Sequence, residues 1–233
     1  VEDRQLVQTV IPVEDSNAIK MELLSFASSI REESIPAVSL TDGHRALQIA
    51  ELILDEIQPG IGRTGKLFGF EHYHCIPDIL VTGKGLGGGM PIGAFTASKD
   101  LMHLLAENPK LGHITTFGGH PVIAASALAT LTEIIESKLM AQTLEKELLF
   151  RKLLVHPLIL EIRGKGLMLA LIMPSEEITN KVILTCQEEG LILFWLLFEP
   201  KAIRMTPPLT ISNEEIIKGC SIIIHVLNLI QQD

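Results

Sequence analysis

The chain has 233 residues, 47% of them hydrophobic, which is enough for one large or two small domains with a buried core. A formal net charge of −9 argues against general nucleic-acid binding, because neutralising phosphates needs a basic face. No run is long and charge-free enough to span a bilayer, and Val1-Glu2-Asp3-Arg4 lacks the blocks of a signal peptide. Cys75, Cys186 and Cys220 are scattered without metal-ligand spacing, so the expectation is a reduced, cytoplasmic protein with no metal site.

In chain order, Leu6 to Ile11 is expected as a strand ended by Pro12, and Ser16 to Ile30 has helix-like apolar spacing. Pro36 to Leu40 reads as a short strand and Asp42-Gly43 as a turn, with no chemistry assignable in either. Leu52-Ile53-Leu54 is a continuous apolar run, as in a parallel strand covered on both faces. Gly60 to Lys66 follows as a loop, Ile79-Leu80-Val81 as a buried strand and Met90 to Thr96 as another. Lys99 to Ala106 is a short helix, and residues 112–120 form a polar loop.

Pro121 suits the first turn of a helix whose apolar face holds Ile123, Ala127, Leu131, Ile134 and Ile135. A helix over Met140 to Leu154 and a strand over Gly166 to Met173 come next. Ser175 and Glu176 open a helix that Gly190 closes; Leu191 to Phe198 and Ala202 to Met205 are strands. Ser212-Asn-Glu-Glu215 is a capping box before a last helix. This alternation predicts α/β, with an incomplete large domain over 1–137 and a small α+β domain over 138–233.

Two segments match G-x-G-x-x-G, at Gly60, Gly62, Gly65 and at Gly83, Gly85, Gly88. Neither leads into a helix that could hold a pyrophosphate, so dinucleotide binding is disfavoured. A P-loop is disfavoured too, because Gly85 stands where Ser or Thr should follow the lysine. Asp55 is more informative: a carboxylate ending an apolar strand needs a cation or donors. It is either a member of a structural ion pair or the partner of a protonated ring nitrogen. Pyridoxal phosphate (PLP) carries such a nitrogen, and its enzymes also use a lysine as Schiff-base partner. Lys84, between Gly83 and Gly85 at the end of a second strand, suits that role.

Asp55-Glu-Ile-Gln58, Gly60-Ile-Gly-Arg-Thr-Gly-Lys66, Pro77-Asp78 and Lys84-Gly-Leu-Gly-Gly-Gly-Met-Pro-Ile-Gly93 follow one another in order. Thr115-Thr-Phe-Gly-Gly119, Arg163-Gly-Lys-Gly-Leu-Met168 and Ile203-Arg-Met-Thr-Pro-Pro-Leu209 continue the series. The concatenation resembles the class III PLP-dependent aminotransferases, with a lean towards the ornithine and acetylornithine branch. It implies a PLP-dependent transferase of fold type I (aspartate aminotransferase-like), with a large domain and a small C-terminal domain. The implied activity is transamination between an amino acid or ω-amine and a 2-oxo acid, 2-oxoglutarate being the expected acceptor.

The resemblance also implies roles. Lys84 would form the Schiff base and shuttle the proton; Asp55 would keep the ring nitrogen protonated. Ile57 would pack on the ring, and Gln58 would contact its phenolic oxygen. Thr116 would reach the cofactor phosphate of a neighbouring subunit, which implies a homodimer with shared sites. Arg204 would clamp a substrate carboxylate.

Before Asp55 the sequence departs from this pattern. The Ser-Gly-Thr-Glu-Ala-type turn that cradles the phosphate is absent, and the aromatic residue that stacks on the other ring face has no counterpart. These departures set an alternative beside the enzyme: a truncated, non-catalytic relative acting as a structural or partner-binding unit.

Overall fold

A computed structural model describes residues 53–107, 110, 112 and 114–232 of the chain. The strands, helix and turn expected between Leu6 and Gly43 lie outside the described residues. Contacts group residues 52–233 as one compact unit.

The apolar run at the start of this unit forms strand β1 (Ile53–Asp55), which pairs in parallel with β2 (Ile79–Gly83). The register sets Ile53 opposite Ile79 and Asp55 opposite Val81, so β2 runs two residues further than β1. Strand β3 (Gly93–Ala97) pairs antiparallel along the whole of β2, from Ile79 opposite Ala97 to Gly83 opposite Gly93. It starts later than the expected Met90 because Gly88 and Gly89 take left-handed φ values of 57° and 100°, and Pro91 has no N–H to donate.

The connection from β1 to β2 contains no α-helix, only a 3-10 turn over Gly69–His72. Glu56, 2% exposed, secures that turn: its carboxylate accepts from the backbone N–H groups of Gly69 and Phe70, both at 2.8 Å. A buried charge is tolerable when satisfied in this way.

Helix α1 (Lys99–Glu107) follows β3, and α2 (Pro121–Glu136) packs on the turn after β2. Ser126 Oγ donates to Gly87 O at 2.8 Å, and a Cβ on Gly88 would lie 2.1 Å from Thr130 Oγ1. Only glycine permits that approach. A small core of Ile61, Leu86, Ala127 and Ile134 fills the contact. Ile135, expected on the same face, is 58% exposed: it lies one residue, about 100°, round the helix from Ile134.

Helix α3 (Leu139–Leu153) leads to a second sheet of four antiparallel strands in the order β4-β5-β7-β6. These are β4 (Glu161–Lys165), β5 (Met168–Ile172), β6 (Phe194–Leu196) and β7 (Glu199–Met205), with α4 (Glu176–Glu188) between β5 and β6. Helix α5 (Asn213–Gln232) closes the chain. Its capping box forms as expected: Ser212 N donates to Glu215 Oε2 at 2.8 Å and Glu215 N to Ser212 Oγ at 3.2 Å. Leu167, Leu171, Val182, Ile203, Ile216 and Leu227 are among the fully buried members of a large core against this sheet.

The expected strand over Leu191 to Phe198 shrinks to three residues. Leu191 N instead bonds Cys186 O and finishes α4. Leu196 pairs directly with Glu199, leaving Leu197 and Phe198 as a two-residue turn, 87% and 96% exposed. Strand β7 in turn starts earlier than Ala202; Pro200 is accommodated because it lies beyond the residues that pair with β5. Among the described residues no helix is long and apolar enough to cross a membrane, and no group of three or more His, Cys, Asp or Glu is placed to hold a metal ion.

Candidate active site

Parallel pairing of β1 and β2 brings Asp55 and Lys84 to the same end of the first sheet. Lys84 opens a 3-10 turn (Lys84–Gly87), and its own backbone is left-handed, with φ at 42°. Gly83 before it is extended at φ 179°, so the lysine, and not its flanking glycine, carries the unfavourable conformation. Such strain is held where surrounding packing over-determines it, and that is common at functional sites. Gly83 matters for space: a Cβ there would lie 3.1 Å from Ile92 O.

Ile57, Gln58, Arg63, Lys84, Arg204 and Thr206 all line one open cavity of about 480 Å³, within the usual range for small-molecule sites. Four of the six residues singled out in the sequence therefore share a space. Asp55 lines a second cavity of about 760 Å³ that meets the first at Met168. Its Oδ1 accepts from Ile57 N at 2.8 Å, which ties its carboxylate to the backbone of the residue expected to face the ring. Among the described residues neither Asp55 nor Lys84 joins an ion pair. Thr116 lies in an exposed turn and lines neither cavity.

Arg204 projects from β7, in register with Phe194 and Ala170. Among the described residues its Nε is buried without a hydrogen-bond partner, while the centre of the Phe194 ring lies 5.1 Å from the guanidinium carbon. A buried donor without a partner suits a site that an acceptor completes.

Sequence reasoning gave Arg63 no role, yet three of the quoted motifs meet on it. Arg63 Nη1 donates to Pro207 O and, at 3.5 Å, to Leu167 O. Arg63 O in turn accepts from Leu167 N at 2.9 Å. A Cβ on Gly166, at φ 61°, would lie 2.6 Å from Arg63 O. Burial lowers the Arg63 pKa from its ordinary value by disfavouring the charge. Lys146 Nζ donates to Leu209 O at 2.6 Å and secures the same Pro207–Leu209 segment from α3. The only available signal was position inside a glycine-rich loop.

An amine, an amide, an apolar side chain and a guanidinium with a buried Nε thus share one cavity, and a carboxylate lines the neighbouring one. The family aminotransferase class-III matches residues 38–227, and the chain belongs to it. An acetylornithine aminotransferase from Caldanaerobacter subterraneus subsp. tengcongensis is 39% identical over 184 residues, 77% of this chain and 45% of the relative. A putrescine aminotransferase from Pectobacterium atrosepticum is 43% identical over 192 residues, 79% of this chain and 40% of its own length. The chain therefore spans less than half of the curated relatives it matches.

Among solved structures, an ornithine aminotransferase from Toxoplasma gondii, with PLP partly occupying its active site, superposes with a TM-score of 0.71 at 32% identity. The match covers 85% of this chain and 48% of that one. A Bacillus anthracis aminotransferase gives 0.71 at 29% identity, covering 84% and 49%. The fold is that of the PLP-dependent transferases of fold type I.

Proposed function

We propose that the protein is a PLP-dependent aminotransferase that moves an amino group from an amino acid or ω-amine to a 2-oxo acid, with 2-oxoglutarate as acceptor. The observation that carries the reading is the shared cavity of Lys84, Ile57, Gln58 and Arg204, with Asp55 tied to it through Ile57 N. The donor set fits the cofactor: a carboxylate for a ring nitrogen, an apolar face, an amide for a phenolic oxygen and an amine at a strand end. When bound, PLP supplies the electron sink that lets a proton leave the substrate's α-carbon.

The chain's own residues do the rest. Lys84 Nζ, which lines the cavity, would hold the cofactor and then carry the proton from the substrate carbon to the cofactor carbon that receives the amino group. Asp55 would pair with the protonated ring nitrogen, and Gln58 would contact the phenolic oxygen. Arg204 binds a substrate carboxylate through its planar fork, completing the unpartnered Nε.

Thr116 in its exposed turn reaches the phosphate held by a second copy, so the working unit is a homodimer. Phe117 beside it is 75% exposed, and Leu128 and Ile135 are exposed on α2, apolar surface that another subunit would cover. The division into a PLP-binding part up to residue 137 and a small domain from 138 belongs to the same reading, supported by the two separate cores. Free thiols at Cys75, Cys186 and Cys220 support a reducing, cytoplasmic setting. The non-catalytic alternative rests only on the departures before Asp55, and the family match does not favour it.

The test is transamination by purified protein supplied with PLP. It should convert 2-oxoglutarate to glutamate with ornithine, acetylornithine or putrescine as donor, and bound cofactor should give a visible absorption band. Protein that takes up no PLP and transfers no amino group from any of these donors would overturn the reading.

A further inference from the structure

Arg204 stands on the wall between two cavities. One is the 480 Å³ cavity that holds Lys84; the other, of about 350 Å³, is apolar and includes Leu193, Phe194, Met205, Ile216 and Ile223 in its lining. Arg204, Thr206 and Pro208 line both, whereas Phe194 lines only the second.

A long, flexible cation on such a wall has two places to go. Towards Lys84 it meets the space where a substrate would lie. Towards the apolar cavity it meets room, and also Glu215, which lines that cavity and whose carboxylate accepts only from Ser212 N among the described contacts. Collapse onto Glu215 would remove the guanidinium from the lysine cavity.

Phe194 stands against that collapse. It is Arg204's cross-strand neighbour in register, and its ring face lies 5.1 Å from the guanidinium carbon on the side of the apolar cavity. Trp195 Nε1 donates to Asn180 Oδ1 at 2.6 Å, which fixes the edge strand that carries Phe194 onto α4. An aromatic face attracts a guanidinium without satisfying its N–H donors, so those donors stay free for an acceptor on the other side.

We propose that Phe194 is a positioning residue for the substrate carboxylate: its ring holds the Arg204 guanidinium on the wall between the cavities, with its N–H groups presented to the Lys84 cavity. The proposal rests on the reading of Arg204 as a carboxylate clamp, and its test separates the two.

Wild type, Phe194→Leu, Phe194→Tyr and Arg204→Lys are compared as full chains loaded with PLP, by KM and kcat for 2-oxoglutarate and by calorimetric affinity for glutarate, an unreactive dicarboxylate. Loss of one partly desolvated cation–π contact should weaken binding by about fivefold. Phe194→Leu should therefore raise KM and weaken glutarate by that factor, with kcat changed less than twofold. Phe194→Tyr, which keeps the ring, should restore both, and the KM of a diamine donor without a carboxylate should not move.

Phe194 is half-exposed on an edge strand, so the fold should survive its replacement; Phe194→Met repeats the test with a different aliphatic shape. If Arg204→Lys weakens glutarate but Phe194→Leu and Phe194→Met do not, the positioning role is wrong and the clamp stands. Equal damage from leucine and tyrosine would also overturn it, because the ring would then be irrelevant. Unchanged affinity in Arg204→Lys would remove the clamp and the positioning role together.

Discussion

The two sheets of this chain are built to different standards. The second, β4-β5-β7-β6, is backed by α3, α4 and α5 over a core that includes eight or more side chains with no measurable exposure, Leu171, Ile203 and Leu227 among them. Among the described residues the first has three strands, a core of four buried apolar residues and, at Lys84, a lysine in a left-handed backbone. The candidate residues Asp55 and Lys84 stand at the end of the first sheet, and Arg204 stands on the interior strand β7 of the second. A well-packed strand can aim a guanidinium reproducibly, whereas a lysine that must hold a cofactor and move a proton needs room and strain that a dense core would remove.

The largest effect that would sharpen this contrast is on activity. Lys84→Ala should abolish turnover, by at least three orders of magnitude on the general scale of a lost nucleophile and base, while leaving the circular dichroism spectrum unchanged. Lys84→Gly should be equally inactive yet unfold at higher denaturant, by roughly 0.5–1 kcal/mol, because glycine accepts the left-handed conformation without strain. A Lys84→Gly protein no more stable than Lys84→Ala would mean that the backbone there is unstrained.

Next comes packing. Leu171→Ala should destabilise the protein by about 2–5 kcal/mol, since its cavity would open in a rigid, fully buried setting. Leu86→Ala, in the small core beside the lysine turn, should lie at the low end, about 2 kcal/mol, because fewer neighbours enclose it. Urea unfolding measures both, and equal losses would erase the proposed difference between the sheets.

Arg204→Lys follows, with KM for 2-oxo acids raised about tenfold and the absorbance of bound cofactor unchanged, one lost charge-assisted bond corresponding to about 1.4 kcal/mol per decade. A variant that loses cofactor with KM unaltered would assign the arginine to the phosphate or the fold.

The last effect is on pH dependence and belongs to the second core. Burial pushes the Cys186 thiol up to about 11, with Glu189 adding to the effect, and the Cys220 thiol up to about 12, from an ordinary 9.0. An unfolded chain releases these protons from about pH 9, while the folded one keeps them, so stability is lost as pH rises from 9 towards 11 and 12. The unfolding free energy measured from pH 8 to 10.5 should fall by up to about 2 kcal/mol per pH unit more in wild type than in Cys186→Ala/Cys220→Ala, about 1.4 for each proton held. Parallel profiles would show that the thiols are not held neutral by that core.

Much of the fold was legible because period and punctuation agreed with packing. β1, β2 and the capping box of α5 formed where apolar runs and Ser212-Asn-Glu-Glu215 indicated. β4 was not foreseen: Glu161-Ile-Arg-Gly-Lys165 has one apolar residue, and it becomes a strand by pairing with β5. The apolar run ending at Phe198 suggested a longer β6, but a tight turn consumed its end.

Of the candidate residues taken from the sequence, Lys84, Ile57, Gln58 and Arg204 share one cavity, whereas Asp55 lines another and Thr116 lines neither. Arg63 was not readable, because its partners Leu167 and Pro207 are more than a hundred residues away and are backbone carbonyls that no side-chain pattern reveals. The strain on Lys84 was hidden for a related reason. Flanking glycines invite the expectation that they absorb the turn, and only the backbone shows that the lysine does.

The central claim, that Lys84 is the residue on which the cofactor is held, is tested most directly by reducing PLP-loaded protein with borohydride and mapping the modified peptide by mass spectrometry. The account predicts a single stoichiometric modification on the peptide containing Ile79 to Met90, at Lys84, with loss of the visible band. Modification of another lysine such as Lys66 or Lys165 in its place, or none in protein saturated with PLP, would contradict it.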